Sequence, residues 1–177
     1  ISSSNIGGHE FIWGERTYVM GVVNATPDSF SGDGVLSVIG NVQGAIDHAL
    51  RMEDEGADII DIGGESTRPA SIYPDAQPVT DDDEISRVLP VIDGLVSRLN
   101  IPISIDTRKA SVARAAVRTG AALVNDVSMI EDPQMISVIS DTDVPIVISH
   151  IRKKGHQGEV VNEVIDDLRG AVNDLRK

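Results

Sequence analysis

Five times along this chain a short apolar run rich in branched side chains gives way to an amphipathic helix, always in that order. The runs cover residues 18–23, 58–62, 102–106, 122–126 and 144–149. The helical periodicities cover 42–55, 81–100, 110–119, 132–140 and 159–176, with Gly56 and Gly120 as stops and Pro133 in a first turn. Short apolar strands alternating with amphipathic helices require a parallel sheet with helices packed outside it. Run 18–23 reads as a strand buried on both faces, and Asp82 or Asp83 as the N-cap of the second helix. Ahead of the first unit, residues 1–8 read as a frayed end. Two apolar runs around Gly14-Glu15-Arg16 read as a hairpin, with Trp13 as a cap on the floor of a barrel rather than a ligand contact.

The polar residues gather after the strands and rarely before them. Asn24, the Thr67-Arg68 loop, Asp106, Asn125 and His150 each follow an apolar run. A TIM-type barrel carries its chemistry on that rim. No Gly-x-Gly-x-x-Gly follows a strand and there is no Walker A motif, so a dinucleotide fold and a P-loop fold lose support. The fold class expected is therefore α/β, a TIM (β/α)8-type barrel of which about five βα units are present, preceded by a short hairpin. With 177 residues, one domain over 1–177 is expected. Such a barrel has eight units and about 250 residues. The expectation is that the polypeptide continues beyond Lys177, that another chain completes the barrel, or that the sheet is open. Ile1 in place of a start methionine points to missing residues before it.

Composition narrows the partners. A formal net charge of -13 disfavours binding to a phosphate backbone. No apolar run reaches the ~20 residues of a membrane helix, and no cysteine is present for a disulfide or thiolate site. The expectation is a cytoplasmic protein with neither a nucleic-acid nor a membrane partner.

Two stretches are the most informative. Met20-Gly21-Val22-Val23-Asn24-Ala25-Thr26-Pro27-Asp28-Ser29-Phe30-Ser31-Gly32-Asp33-Gly34 begins as a strand and ends as a dense polar loop, for which a solvated turn is the plain alternative. Asp61-Ile62-Gly63-Gly64-Glu65-Ser66-Thr67-Arg68-Pro69 repeats that pattern. They closely resemble the first and second signatures of the dihydropteroate synthase family. Ser104-Ile105-Asp106-Thr107 and Asn125-Asp126-Val127-Ser128 are similar to its third and fourth strand ends. The resemblance runs over nearly the whole chain, from about Phe11.

That resemblance implies a TIM barrel of folate biosynthesis. The family joins para-aminobenzoate to hydroxymethyl-dihydropterin pyrophosphate, gives dihydropteroate and pyrophosphate, uses Mg2+ and is a sulfonamide target. By resemblance Asn24 is the metal contact, Thr67 contacts the pterin substrate, and Arg68 organises the closed site. Phe30 and Pro69 flank the aminobenzoate ring, and a homodimer is implied. Asp106 suits the pterin as a carboxylate accepting two adjacent N–H groups, and Asn125 as an amide offering donor and acceptor; an N-cap and a satisfied core amide are their structural alternatives. Asp33 is expected to pair with Arg68 on loop closure. Asn24, Asp33, Arg68 and Asp106 are thus the expected catalytic set, and Phe30, Thr67, Arg68, Pro69, Asp106 and Asn125 the substrate-binding set. By resemblance His150 closes the fifth strand and is expected to be structural or to support a residue of the site from behind.

There are departures. The family's Asp after the sixth strand, its Lys after the seventh and its Arg-x-His after the eighth have no counterpart in this sequence. Met129-Ile130 stands where many members have Gly-Gly. The alternatives are a non-catalytic pterin-binding fragment and a methyltetrahydrofolate–corrinoid methyltransferase. The latter shares the Asp and Asn strand ends and has no use for the pyrophosphate-directed first loop.

Overall fold

The computed structural model describes residues 2–26, 38–65, 79–152, 155 and 158–176, the side chains of 38–41 excepted. It begins with an antiparallel pair, β1 (Ser3–Ile6) and β2 (His9–Ile12). Five βα units follow: β3 (Met20–Asn24) and α1 (Val38–Asp54), β4 (Ile59–Gly63) and α2 (Asp81–Val96), β5 (Ile103–Asp106) and α3 (Ala110–Thr119), β6 (Leu123–Asp126) and α4 (Gln134–Thr142), β7 (Ile146–Ile148) and α5 (Val160–Leu175). The strands β3 to β7 form one parallel sheet in chain order. This is the α/β arrangement expected, an arc of a barrel wall.

Each strand turns alternate side chains to opposite faces. Val23, Ile60, Ile62, Ile103, Ile105 and Val124 pack outward into one core with Ala45, Ala49, Val88, Ile92, Leu95, Val112, Ala116 and Met135 of the helices. Their neighbours in sequence face inward: Val22, Asp61, Ser104, Asp106 and Asn125. This corrects one expectation. Strand β3 is not buried on both faces, because Val23 is fully buried whereas Val22 is 50% exposed on the inner side.

The inner space is closed at the N-terminal end of the strands. Ile6 and Phe11 of the hairpin pack on Ile59 and Leu123, the first residues of β4 and β6, with Tyr18 and Met20 beside them. Phe11, not Trp13, is the plug. Trp13 is 40% exposed, lies against Phe11 and Tyr18 and donates from Nε1 to Ser4 Oγ. The hairpin is also placed differently from the expectation. Its turn is Gly7-Gly8, both at positive φ, as a tight hairpin turn requires, and the supposed frayed end supplies β1. The Gly7 turn abuts the sheet closely enough that a Cβ there would lie 2.9 Å from that of Ala122.

Helix ends follow local chemistry. The cap of α2 is Thr80 and not Asp82 or Asp83: its hydroxyl accepts from the Asp83 N–H at 3.1 Å and donates to the Asp83 carboxylate. Asp81 to Glu84 then fill the first turn, where negative charge is favoured. Gly56 and Gly120 stop α1 and α3 with positive φ, and α4 starts after Pro133, whose neighbour Asp132 accepts from the Gln134 N–H. His150 Nε2 lies 2.9 Å from Asp167 of α5; Arg152 also bonds Asp167 and holds its carboxyl well below the usual range. Among the described residues no helix is long and apolar enough to cross a membrane.

Candidate functional site

The parallel register lines up one row of inward positions at the C-terminal rim. Asn24 of β3 pairs with Gly63 of β4, Gly63 with Asp106 of β5, and Asp106 with Asn125 of β6. One layer deeper the row is Val22, Asp61, Ser104 and Leu123. The upper layer is polar, the deeper one mixed, and the floor beneath is apolar. Strand pairing thus brings together three of the residues expected from sequence, Asn24, Asp106 and Asn125. Phe30, Asp33, Thr67, Arg68 and Pro69 lie outside the described residues.

The site is rich in acceptors lacking donors. Among the described residues, Asp106 Oδ1, Asp61 Oδ1 and Ser104 Oγ on this inner face are buried without a hydrogen-bond partner, as is Glu84 Oε1 of α2. Buried polar atoms are normally paired, so these three on one inner face mark a place for donors from a ligand or from water. Asp106 is not a helix cap: Thr107 Oγ1 accepts from the Lys109 N–H, and Asp132 accepts from the Ala110 N–H. Burial, together with the charges of Asp61, Glu84, Asp126 and Glu65, pushes the Asp106 carboxyl up to about 7. Among the described residues the Asn125 side chain has one hydrogen bond, its Nδ2 donating to Asp61 Oδ2 at 2.9 Å. Asn24 is exposed at the end of β3, and its side-chain amide makes no hydrogen bond among the described residues.

A second, ionic cluster stands beside this row. Glu65, just after β4, accepts from Arg108 at 3.0 Å and pairs with Lys109 at 3.1 Å. Lys109 also donates to Glu84 of α2 at 2.6 Å and to the Val79 carbonyl at 2.7 Å. Burial opposes the charge on Glu65, and the two cations outweigh it and hold its carboxyl low. Gly64 passes so close to α2 that a Cβ would meet Val88 at 2.8 Å and Glu84 at 2.9 Å, and its carbonyl accepts from Arg87. This cluster fixes where the chain leaves β4 toward Thr67 and Arg68. Asp61, Glu65, Glu84 and Lys109 were not singled out from sequence. The available signal was an Asp at an inward strand position and a Glu opening a polar loop.

Comparison with known proteins places this geometry. A model of the pterin binding enzyme family matches residues 20–177. The chain belongs to the pterin-binding enzyme family. Within that family it is 45% identical over 159 residues to a dihydropteroate synthase of Bacillus subtilis, covering 89% of this chain and 53% of that protein. The Xanthomonas albilineans dihydropteroate synthase solved with 4-aminobenzoic acid superposes with a TM-score of 0.84 at 40% identity, over 98% of this chain and 60% of that one. The same enzyme with 7,8-dihydropteroate gives 0.78 at 35% identity, over 98% and 61%. The chain spans about half to three-fifths of the length of these relatives. The sheet is therefore the five-stranded arc of a TIM-type barrel, as expected for the pterin-binding fold.

Proposed function

We propose that this chain is the pterin-binding part of a dihydropteroate synthase, which condenses para-aminobenzoate with hydroxymethyl-dihydropterin pyrophosphate. The observation that carries the proposal is the inner row of Asp106 and Asn125, with Asp106 Oδ1 unpartnered among the described residues, in a chain 45% identical to a protein of that name. A pterin edge presents adjacent N–H donors, and ionised Asp106 accepts them as a fork. Asn125 adds an acceptor and a donor from the next strand. The floor of Phe11, Ile59 and Leu123 keeps water from entering at the opposite end.

As the carbon–oxygen bond to pyrophosphate breaks and the aminobenzoate amine forms the new carbon–nitrogen bond, the protein needs to stabilise developing charge and position the reactants rather than supply a covalent nucleophile. Mg2+ is a hard cation that takes oxygen ligands and keeps several waters. Among the described residues no group of three His, Asp or Glu is placed to hold a metal. The exposed Asn24 amide fits instead as a single neutral oxygen ligand, completed by waters and by phosphate oxygens. When bound, the ion would neutralise charge on the departing pyrophosphate. Thr67 would contact the pterin pyrophosphate, Arg68 and Asp33 would pair over the closed site, and Phe30 and Pro69 would flank the aminobenzoate ring. The Glu65–Lys109–Glu84 cluster would hold the base of that second loop. Homodimer formation and a cytoplasmic location belong to the same proposal.

The test is to supply both substrates with Mg2+ and follow dihydropteroate and pyrophosphate. Formation of both in equal amounts is expected of the complete enzyme, and loss of more than 100-fold on Asp106→Ala. Product from methyltetrahydrofolate and a corrinoid acceptor, with none from the pyrophosphate substrate, would overturn it.

A further inference from the structure

We propose that Asp61 is a positioning residue that fixes which way the Asn125 amide faces the pocket, and so sets the order of acceptor and donor offered to a heterocycle edge. This rests on the pterin reading of the same site. An asparagine amide is nearly symmetric in shape, so its two orientations differ only through their hydrogen-bond partners. For Asn125 the partner is Asp61. The carboxylate reaches across from the deeper layer of β4 and accepts from Nδ2 at 2.9 Å. An ionised carboxylate is acceptor-only. Turning the amide over would set Asn125 Oδ1 against Asp61 Oδ2, acceptor against acceptor. A charge-assisted bond of this kind favours one orientation on the order of 10- to 100-fold.

The consequence is a pocket of fixed polarity. With one Nδ2 hydrogen committed to Asp61, Asn125 presents Oδ1 and its second N–H in a set order beside the Asp106 carboxylate. The arrangement selects a fused heterocycle whose edge carries an amino group and a ring N–H. It rejects a counterpart in which a carbonyl replaces the amino group. Asp61 is only 3% exposed, and among the described residues its other oxygen has no partner. Its charge also bears on Asp106, alongside Glu65 just after β4, Glu84 of α2 and Asp126 of β6; Glu65 and Glu84 are partly offset by Arg108 and Lys109.

The experiment compares the chain with Asp61→Asn, which keeps the volume, and with Asp61→Ser, a smaller acceptor that tests the idea should the first variant fold poorly. Pterin and its 2-oxo counterpart, which lacks the amino group, are titrated by fluorescence, and the side-chain amide of Asn125 is followed by 15N NMR. In the unaltered chain one amide signal pair and at least a tenfold preference for pterin are expected. In the variants the amide signals should split or average, the pterin Kd should rise about tenfold or more, and the preference should shrink at least fivefold. A merely structural role would weaken both ligands equally and leave the amide signals single, which would overturn the proposal. Should the unaltered chain bind neither compound, the pterin reading fails, and the amide signals still decide whether Asp61 orients Asn125.

Discussion

Asp106 is the residue at which function and stability pull in opposite directions. Its carboxyl, raised to about 7 by burial and by the acids around it, keeps a proton in the folded chain at pH values where the unfolded chain has lost it. Native protein therefore binds more protons between about pH 4 and pH 7, and stability falls as pH rises through that window. Asp106→Asn should accordingly stabilise the chain at pH 8 by about 2 kcal/mol, after discounting for solvent at the rim, and by little at pH 4. Thermal denaturation of both proteins at the two pH values checks this; an equal effect at both would contradict the assignment of the charge. Ligand binding should run the other way. Only the ionised carboxylate accepts two N–H groups, so pterin affinity should rise through pH 7 and level off above it. Asp106→Asn should flatten that profile and weaken binding at least tenfold, as read by fluorescence titration across pH 5–9.

The turn after β6 shows how one element is held in an unfavourable shape. Met129 and Ile130 both have φ of 61°, a region that costs a residue with a Cβ about 1–2 kcal/mol. Asp126 compensates: one oxygen accepts from Ser128 N and Oγ at 2.6 Å each, and the other from Ile130 N at 3.0 Å. Met129→Gly should therefore raise stability by about 0.5–1 kcal/mol. Ile130→Gly should gain less, because Ile130 packs against the core. Asp126→Ala should cost about 3 kcal/mol, and denaturant melts rank the three. The ion cluster behaves as a similar unit across β4, α2 and α3. Lys109→Met leaves Glu84 buried without its cation and should cost about 3–5 kcal/mol, most of it recovered by adding Glu84→Gln. The units themselves were legible in sequence, because period and stop signals agree at Gly56 and Gly120. The Gly7-Gly8 hairpin was missed, since β1 (Ser-Ser-Asn-Ile) is too polar to read as a strand. Asn24, Asp106 and Asn125 stood out as polar strand ends. Asp61 did not: seen as sequence it opens a known loop motif, and only the inward parity of β4 shows it to be a buried carboxylate beneath Asn125.

At the scale of the whole molecule the two ends of the sheet divide the work. The rim carries polar groups whose burial is unfavourable, and the floor carries apolar groups that do no chemistry. Barrels of this kind concentrate activity at the C-terminal face and stability at the other, and the hairpin plug makes that division testable here. Phe11 is nearly fully buried against Ile6, Ile59 and Leu123. Phe11→Ala removes that packing and leaves a cavity under the pocket, which should cost about 3–5 kcal/mol. For a chain of this size that corresponds to a fall in Tm of about 6–20 °C. The parallel register that aligns Asn24, Gly63, Asp106 and Asn125 lies above the plug and is set by β3 to β6 themselves. Well below the lowered Tm, the pterin Kd of Phe11→Ala should therefore stay within about twofold of the unaltered chain. Asp106→Ala should do the reverse, weakening pterin strongly without lowering Tm at neutral pH. Calorimetry and fluorescence titration on the same three samples decide it. If Phe11→Ala weakened pterin as much as Asp106→Ala does, floor and rim would be coupled, and the hairpin would have to be counted as part of the binding site.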